Sequence, residues 1–139
     1  MGLSVLGVLI YGGFLSAQLP NEQTLSTVNG RVASSVSLQN RGLAYGDGLF
    51  ETIRFENGVV PLLPYHLERL LAGCQRITIP LPRDQLESYV QDFFALLASR
   101  DISSGVIKII VTRGEGGRGY IPDLTAQACV CIQLNSSAP

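Results

Sequence analysis

Residues 40–52 read NRGLAYGDGLFET. The stretch holds three glycines, one aspartate and two aromatic residues, and it leads into a run from Leu49 to Phe55 that alternates like a β-strand. Gly46 and Gly48 allow a tight loop whose backbone lies close to a ligand, and Phe50 would then project into a pocket. An ordinary glycine turn before a strand explains the same residues. The stretch predicts a loop followed by a strand and leaves both interpretations of the loop open.

A second glycine-rich stretch, TRGEGGRGY, covers residues 112–120 and follows a β-branched run from Val106 to Thr112 that predicts another strand. Arg113 and Arg118 flank its glycines, and binding groups are often carried by loops on a rigid sheet. A mobile arginine followed by Tyr120 suits the capture of a carboxylate. A solvated surface loop is the alternative. The glycines do not open a helix, so the stretch does not match a dinucleotide-binding fingerprint.

A helix is predicted between the two glycine-rich stretches, because Pro64 suits a first turn and the apolar residues that follow form one stripe. The stripe comprises Leu67, Leu70, Leu71, Cys74 and Ile77. Arg69 follows Tyr65 by four residues and His66 by three, so these side chains lie near one another. The Arg69 guanidinium can bind a phosphate monoester, although a solvated helix arginine is the commoner case. His66 is interpreted as a hydrogen-bonding group at the helix start rather than as a base.

The rest of the chain completes an order of strands, two helices and strands. Asn29-Gly30 predicts a type I′ turn between strands Thr24–Val28 and Arg31–Ser35. Other predicted elements are a loop over residues 36–48, a turn at Glu56-Asn57-Gly58 with a return strand Val59–Leu63, a helix capped by Asp84 that buries Leu86, Val90, Phe93, Phe94 and Leu97, and a strand Ala126–Leu134. This order predicts an α+β fold with a largely antiparallel sheet and two helices on one side.

The composition narrows the class of function. With 139 residues, 46% hydrophobic and 15% charged, the chain can build one domain with a core and leave apolar surface for a partner. A net charge of −1 gives no electrostatic case for binding nucleic acid or an anionic membrane. Nine of the ten basic residues are arginine, and Lys108 is the tenth. The excess of arginine over lysine is consistent with binding of an anionic small molecule, because arginine binds carboxylates and phosphates. A coding bias in the gene explains the same excess equally well.

The three cysteines are expected to be buried thiols in a reducing compartment, which predicts a cytoplasmic protein. Cys129 and Cys131 would share one face of a strand, where strand geometry does not favour a disulfide between them. No metal-ligand spacing is present, so no metal site is expected.

Residues 1–23 are expected to be an apolar extension. Residues 1–21 carry no charged side chain. A secretory signal cleaved near Ser16-Ala17-Gln18 is an alternative, although a basic region is missing. As a membrane span the run is short and interrupted by glycine. The expected organisation is an extension over residues 1–23, a domain over 24–134 and the start of a linker over 135–139.

Residues 41–52 and 112–120, with Arg69 between them, resemble the N-terminal domain of fold-type IV pyridoxal-phosphate (PLP) enzymes. That family contains aminodeoxychorismate lyases, D-amino-acid aminotransferases and branched-chain aminotransferases. The ending Gly-Gly-Arg-Gly-Tyr of the second stretch is similar to the lyase branch. The resemblance implies PLP as cofactor, a homodimer, and formation of 4-aminobenzoate and pyruvate from 4-amino-4-deoxychorismate in folate synthesis. The aminotransferases of the same fold are the alternative, as is a non-catalytic remnant that only binds a partner.

The resemblance also implies roles for individual residues. Arg69 matches the arginine that binds the PLP phosphate. Phe50 matches a position that lines the substrate site, and Arg118 and Tyr120 match a loop that meets the substrate carboxylate. The Schiff-base lysine of the family lies beyond the linker, so no catalytic residue is expected in this chain, and the chain alone is expected to be inactive. Lys108 does not match that lysine and is expected to be a solvent-facing strand residue.

Overall fold

A computed structural model describes residues 24–135. The expected extension over residues 1–23, and residues 136–139 of the expected linker, lie outside the described residues. Between residues 24 and 135 the chain forms five strands and three helices. In chain order these are β1 (Thr24–Val28), β2 (Arg31–Val32), α1 (Arg41–Tyr45), β3 (Gly48–Phe55), α2 (Leu63–Arg76), α3 (Arg83–Ser99), β4 (Gly105–Thr112) and β5 (Cys129–Asn135).

The five strands form one antiparallel sheet in the order β2-β1-β5-β4-β3. The two long helices follow β3, and β4 then returns beside it. The register places Phe50 opposite Ile110, and Lys108 opposite both Thr52 and Gln133. The predicted α+β fold with an antiparallel sheet is confirmed.

The core lies between the sheet and helices α2 and α3. Alternate residues of the strands face these helices, and so do the apolar stripes of the helices themselves. The fully buried members of this core include Ile53, Ile107, Ile109, Ile132 and Leu134 from the sheet and Leu70, Leu86, Phe93 and Leu97 from the helices. Each large side chain buried in this way stabilises the fold by about 1.5–3 kcal/mol, so the core fixes both helices against one face of the sheet.

The other face of the sheet is not covered by α2 or α3. Strand alternation places Phe50, Lys108, Ile110, Cys131 and Gln133 on this second face. We refer to it as the open face. Helix α1 and the segment that connects β2 to it border this face, because Leu43 and Val36 line the same cleft as Phe50 and Ile110.

The predicted return strand Val59–Leu63 is wrong. A single bridge joins Glu56 to Val59, and helix α2 begins at Leu63. Pro61 and Pro64 lack the N–H groups that a strand ladder requires. Leu62 takes a left-handed conformation with φ of 59° and turns the chain into the helix.

Two helix starts also differ from the sequence prediction. Residues 36–48 contain the short helix α1, whose N-terminus is capped because the Asn40 side chain accepts a hydrogen bond from the Gly42 N–H. Helix α3 begins after Pro82 without a side-chain cap. Asp84 therefore lies in the first turn, where its charge interacts favourably with the helix dipole.

The ends of several elements shift by a few residues. Strand β2 stops at Val32, earlier than the predicted Ser35, and β5 begins at Cys129, later than the predicted Ala126. Ile77 lies one residue beyond α2 and is exposed, so it is not part of the buried stripe. The hairpin at Asn29-Gly30 and the strand into Thr112 form as predicted.

Candidate functional site

A cleft of about 370 Å³ lies on the open face, beside the loop that the sequence singled out. Gly48, Phe50 and Ile110 line it, together with Cys131 from β5. Phe50 is more than half exposed, and the Lys108 ammonium lies 4.4 Å from the centre of its ring. Lys108 is half-buried and stacks on Phe50 rather than simply pointing to solvent. The cleft offers an aromatic wall and a nearby positive charge.

Arg69 lies in a cluster with His66, as the helix spacing predicted, and with Glu51 of β3, which sequence reasoning did not place beside it. One carboxylate oxygen of Glu51 accepts a hydrogen bond from His66 Nδ1, at 3.0 Å. The other oxygen lies 3.4 Å from Arg69 Nε. The Glu51 side chain is 11% exposed and that of Arg69 is 60% exposed. Glu51 therefore contacts the guanidinium at Nε, while more than half of the Arg69 side chain is exposed.

Glu51 was missed although the sequence carried a signal. Leu49, Ile53 and Phe55 share the inward phase of β3 with Glu51. A carboxylate in the apolar phase of a strand needs a charged or hydrogen-bonding partner, and helix α2 supplies two. Sequence spacing linked Arg69 to His66 but could not show that β3 lies beneath them.

A buried cluster of Arg41, Asp47 and Arg113 supports the two glycine-rich segments. Asp47 accepts hydrogen bonds from Arg41 Nε at 3.1 Å and Arg113 Nε at 2.8 Å. Arg113 also donates to the carbonyl oxygens of Ile77 and Thr78. Arg113 is therefore not available to bind a substrate carboxylate, because its side chain is 5% exposed and held on two sides.

Arg41 ties the second glycine loop to helix α1. Its guanidinium donates hydrogen bonds to the carbonyl oxygens of Gly116 and Gly119. The central carbon of the guanidinium lies 4.5 Å from the centre of the Tyr45 ring. Tyr45 in turn meets Tyr120, with ring centres 5.6 Å apart. The loop that carries Tyr120 is therefore positioned by α1 and is not a free surface loop.

The Asp47 carboxyl has an altered pKa. Burial raises it, but the hydrogen bonds and charges of Arg113 and Arg41 lower it more, so the pKa lies below its usual value. A group with a lowered pKa in the folded state stabilises the fold above its unfolded pKa of about 3.9, and this contribution is lost as the pH falls through the folded value.

Acid should therefore destabilise the chain partly through Asp47. We expect the free energy of unfolding to fall below about pH 4, and we expect the fall to be smaller in Asp47→Asn, which has no carboxyl to protonate. Urea denaturation of both proteins across this range measures the difference. The same pH dependence in both would show that Asp47 is not responsible.

The structure places the remaining predicted residues without joining them into one cluster. Arg118 and Tyr120 are exposed, and Tyr120 is 89% so. In the described part of the chain, no hydrogen bond or ion pair links Arg69 to Phe50, Arg118 or Tyr120. Phe50 and Glu51 are consecutive in β3 and project to opposite faces of an edge strand. Phe50 and Arg69 thus flank the same sheet edge from its two sides.

The three cysteines are free thiols; Cys74 and Cys129 are buried as expected, whereas Cys131 is only partly buried. Burial raises the pKa of Cys74 to about 11. A hydrogen bond from Cys131 lowers the pKa of Cys129 to about 7, against the opposing effect of burial, and the same contact raises the pKa of Cys131. The two sulfur atoms lie 3.8 Å apart.

Residues 24–135 show neither a metal-binding cluster nor a membrane-spanning helix. No group of three or more His, Cys, Asp or Glu side chains could hold a metal ion there. None of the helices in this range has the length and apolar character that crossing a bilayer requires.

Comparison with known proteins identifies relatives of this architecture. The family model described as amino-transferase class IV matches residues 48–139. An aminodeoxychorismate lyase from Vibrio harveyi is 39% identical over 95 residues, which make up 68% of this chain and 34% of that protein. A putative branched-chain-amino-acid aminotransferase from Methanocaldococcus jannaschii is 35% identical over 102 residues, covering 73% of this chain and 35% of that protein.

A solved structure of a lyase also matches this chain. The 4-amino-4-deoxychorismate lyase from Pseudomonas aeruginosa matches with a TM-score of 0.68 and 45% identity, over 83% of this chain and 40% of that one. The chain thus spans about a third of the length of the curated relatives it matches. Class IV enzymes use PLP as cofactor. The family model covers more than half of the sequence, and the fold matches that of the solved lyase over 83% of this chain, so this chain belongs to the class IV amino-transferase family, the fold-type IV PLP enzymes.

Proposed function

We propose that residues 24–134 are the N-terminal domain of a PLP-dependent 4-amino-4-deoxychorismate lyase. In this proposal Arg69 binds the phosphate of PLP, and Phe50, Arg118 and Tyr120 line the substrate site. The observation that carries it is Arg69, an exposed guanidinium fixed on one side by a buried carboxylate at the edge of the sheet.

The residues present fit the phosphate end of PLP. Glu51 engages Arg69 through Nε, which leaves the terminal nitrogens to donate paired hydrogen bonds to a phosphate. Glu51 is itself oriented by His66, so the carboxylate that contacts Arg69 is in place before the ligand binds. Bound PLP supplies an electron sink for the bond-breaking step at the substrate α-carbon. The amine that joins PLP covalently is proposed to come from a lysine outside this chain.

The open-face cleft suits the substrate. Phe50 offers an aromatic wall, and Lys108 adds a positive charge next to it. Arg118 and Tyr120 stand on the loop that Arg41 anchors, where a guanidinium and a phenol can reach a carboxylate. The substrate of the proposed reaction is a small anion, which these groups favour.

The lyase is favoured over the aminotransferases by sequence similarity. The Pseudomonas aeruginosa lyase is 45% identical, and the Vibrio harveyi lyase is 39% identical over its matched segment. The archaeal aminotransferase, at 35%, is close enough to keep amino-group transfer as the second candidate. The Gly-Gly-Arg-Gly-Tyr ending at residues 116–120 supports the lyase.

We assign the complete activity to a longer protein of the length of the relatives, of which this sequence would form the N-terminal domain. We expect a second domain to bring the lysine and to cover the open face, and we expect a homodimer in the cytoplasm. The 139-residue chain without that domain is expected to be inactive. Folate synthesis is the process that the reaction would serve.

The test uses the full-length protein that carries this sequence. Incubated with 4-amino-4-deoxychorismate, it should release 4-aminobenzoate and pyruvate in equal amounts without a keto-acid acceptor. Transfer of an amino group from D-alanine or a branched-chain amino acid to a keto acid would instead support an aminotransferase. Borohydride reduction with PLP, followed by mass spectrometry, locates the lysine. An adduct on Lys108 would contradict the proposed division of roles.

Replacing Arg69 should weaken PLP binding. Hydrogen bonds to charged groups contribute about 1.5–3 kcal/mol each, so we expect Arg69→Ala to lower the affinity for PLP by roughly 100-fold, with Arg69→Lys between the two. Fluorescence titration of full-length protein measures the affinity. Arg76→Ala, an exposed change in the last turn of the same helix, is the matched control and should have no effect. Unchanged affinity in Arg69→Ala would remove Arg69 from the cofactor site.

A further inference from the structure

The turn that ends helix α2 has an unusual residue at its key position. The Thr78 N–H donates to the Gln75 carbonyl oxygen at 3.2 Å, and the Ile79 N–H donates to the Cys74 carbonyl oxygen at 2.9 Å. Together with the left-handed conformation of Thr78, at a φ of 58°, these bonds form a Schellman motif. Glycine usually occupies the left-handed position of this motif. A β-branched threonine is strained there, so the turn needs support from outside the helix.

Arg113, which directly follows β4, supplies that support. One terminal nitrogen of its guanidinium donates to the Thr78 carbonyl oxygen at 2.7 Å, and the other donates to the Ile77 carbonyl oxygen at 2.6 Å. Its Nε donates to the Asp47 carboxylate at 2.8 Å. Carbonyl groups at the end of a helix lack partners within the helix and carry a partial negative charge. The buried guanidinium therefore caps the C-terminal end of α2 and ties it to the glycine-rich segment before β3.

The helix that Arg113 caps also carries the proposed phosphate ligand. Ile77 lies about 12 Å along the helix from Arg69, at about 1.5 Å per residue. The other end of α2 follows Leu62 and has no side-chain cap. Core side chains hold α2 against the sheet, but apolar packing is not directional, whereas hydrogen bonds are. The bonds from Arg113 thus fix the end of the helix sideways, and with it the position from which Arg69 extends.

We propose that Arg113 is a positioning residue of the cofactor site, which holds the turn after α2 and so fixes the helix that presents Arg69. In this role Arg113 touches neither cofactor nor substrate. The inference rests on the proposed function, in which Arg69 binds the phosphate of PLP. Lysine cannot take over the role, because one ammonium group lacks the planar fork that reaches two carbonyl oxygens and the Asp47 carboxylate together.

Arg113→Lys in the full-length protein tests this role, because it keeps the positive charge beside Asp47 and removes the fork. A misplaced Arg69 loses the equivalent of one hydrogen bond to a charged group, so the affinity for PLP should fall by about 10-fold. Fluorescence titration measures the affinity, and circular dichroism checks that the variant is folded. Arg100→Lys is the matched control and should bind PLP as the native protein does, since Arg100 is exposed at the end of the other long helix.

Glycine at position 78 separates positioning of the turn from the ion pair with Asp47. Thr78→Gly keeps the carbonyl oxygen and removes the strain, because glycine takes the left-handed conformation readily. Added to Arg113→Lys, it should raise the affinity for PLP back toward the native value, with Thr78→Gly alone as the reference. An Arg113 that acted only as a partner of Asp47 would not respond to the residue at position 78. No recovery in the double variant would therefore overturn the proposal.

Hydrogen exchange of the native full-length protein provides a measurement that needs no folded Arg113 variant. If the fixed turn favours phosphate binding at Arg69, bound phosphate must equally favour the fixed turn, since coupling between sites is reciprocal. Saturating inorganic phosphate should therefore slow exchange of the Thr78 and Ile79 N–H groups, and Arg69→Ala should abolish this slowing. Equal exchange with and without phosphate would contradict the proposal.

These measurements also separate failure of this inference from failure of the proposed function. Reduced PLP affinity in Arg69→Ala, with native affinity in Arg113→Lys, would overturn the role of Arg113 and leave the cofactor site as proposed. Native affinity in both variants would remove Arg69 itself from the site, and the inference with it. Because PLP and phosphate binding are measured without substrate, loss and recovery of affinity as expected would support the inference even if the enzyme proved to be an aminotransferase.

Discussion

Asp47→Asn should lower the free energy of unfolding by about 3 kcal/mol, the low end of the cost of breaking a buried ion pair. Asp47 is the carboxylate that Arg41 and Arg113 share, and both arginine side chains are almost completely buried. An asparagine keeps an oxygen acceptor but removes the negative charge. Two guanidinium groups then face each other without compensation, a cost that solvent cannot relieve because it does not reach them.

Urea denaturation at neutral pH measures this effect, and Glu56→Gln is its control. Glu56 pairs with Arg54, but both side chains are more than half exposed. Exposed ion pairs contribute about 0–1 kcal/mol, so the control should remain close to the native protein. Equal, small effects of the two substitutions would show that the Asp47 cluster is already hydrated and does not hold the glycine-rich segments together.

This cluster also shows which part of the structure the sequence could not predict. Asp47 and Arg113 are separated by 66 positions, and neither residue lies in a periodic pattern that points to the other. The hairpin at Asn29-Gly30 and helix α2, with Pro64 in its first turn, were predictable because their signals are local. The pairing of β3 with β4 brings Asp47 to Arg113, and that pairing spans both long helices.

The same difference between local signals and long-range contacts applies to the candidate site. Arg69 and Phe50 were singled out from sequence, through their place in the helix and strand patterns and the family resemblance. Glu51, which orients Arg69, gains its role when α2 packs on β3. Helix α1 was expected to be a loop because its five residues, RGLAY, are too few for a helical periodicity to show. Asn40 was the available signal for its start.

The second glycine-rich stretch depends on its glycines to different degrees, and Gly114 is less replaceable than Gly119. Gly114 has a φ of 80°, its carbonyl oxygen accepts a hydrogen bond from Arg41 N–H, and a Cβ at this position would lie 2.3 Å from the Gln127 carbonyl oxygen. Gly119 also has a positive φ, of 55°, but a Cβ there meets nothing within 4 Å. Alanine substitutions at the two positions therefore distinguish the cost of a positive φ, which both share, from the cost of a steric clash, which arises only at Gly114.

Gly114→Ala should lower the free energy of unfolding by about 3 kcal/mol. A left-handed alanine costs about 1 kcal/mol, and pushing the Gln127 backbone away adds about 2 kcal/mol, as overpacking does elsewhere. Gly119→Ala should cost about 1 kcal/mol, the conformational part alone. Urea denaturation of both variants gives the comparison.

Trypsin provides a second measurement, because Arg118 is an exposed cleavage site within the loop. Displacing Gly114 moves the carbonyl that holds the Arg41 backbone, and the Arg41 side chain holds Gly116 and Gly119. We therefore expect faster cleavage after Arg118 in Gly114→Ala than in Gly119→Ala under conditions where both are folded. Equal stability and equal cleavage in the two variants would mean that the loop adapts to a side chain at either position. In that case Arg41 and Asp47 would not be what positions Arg118 and Tyr120.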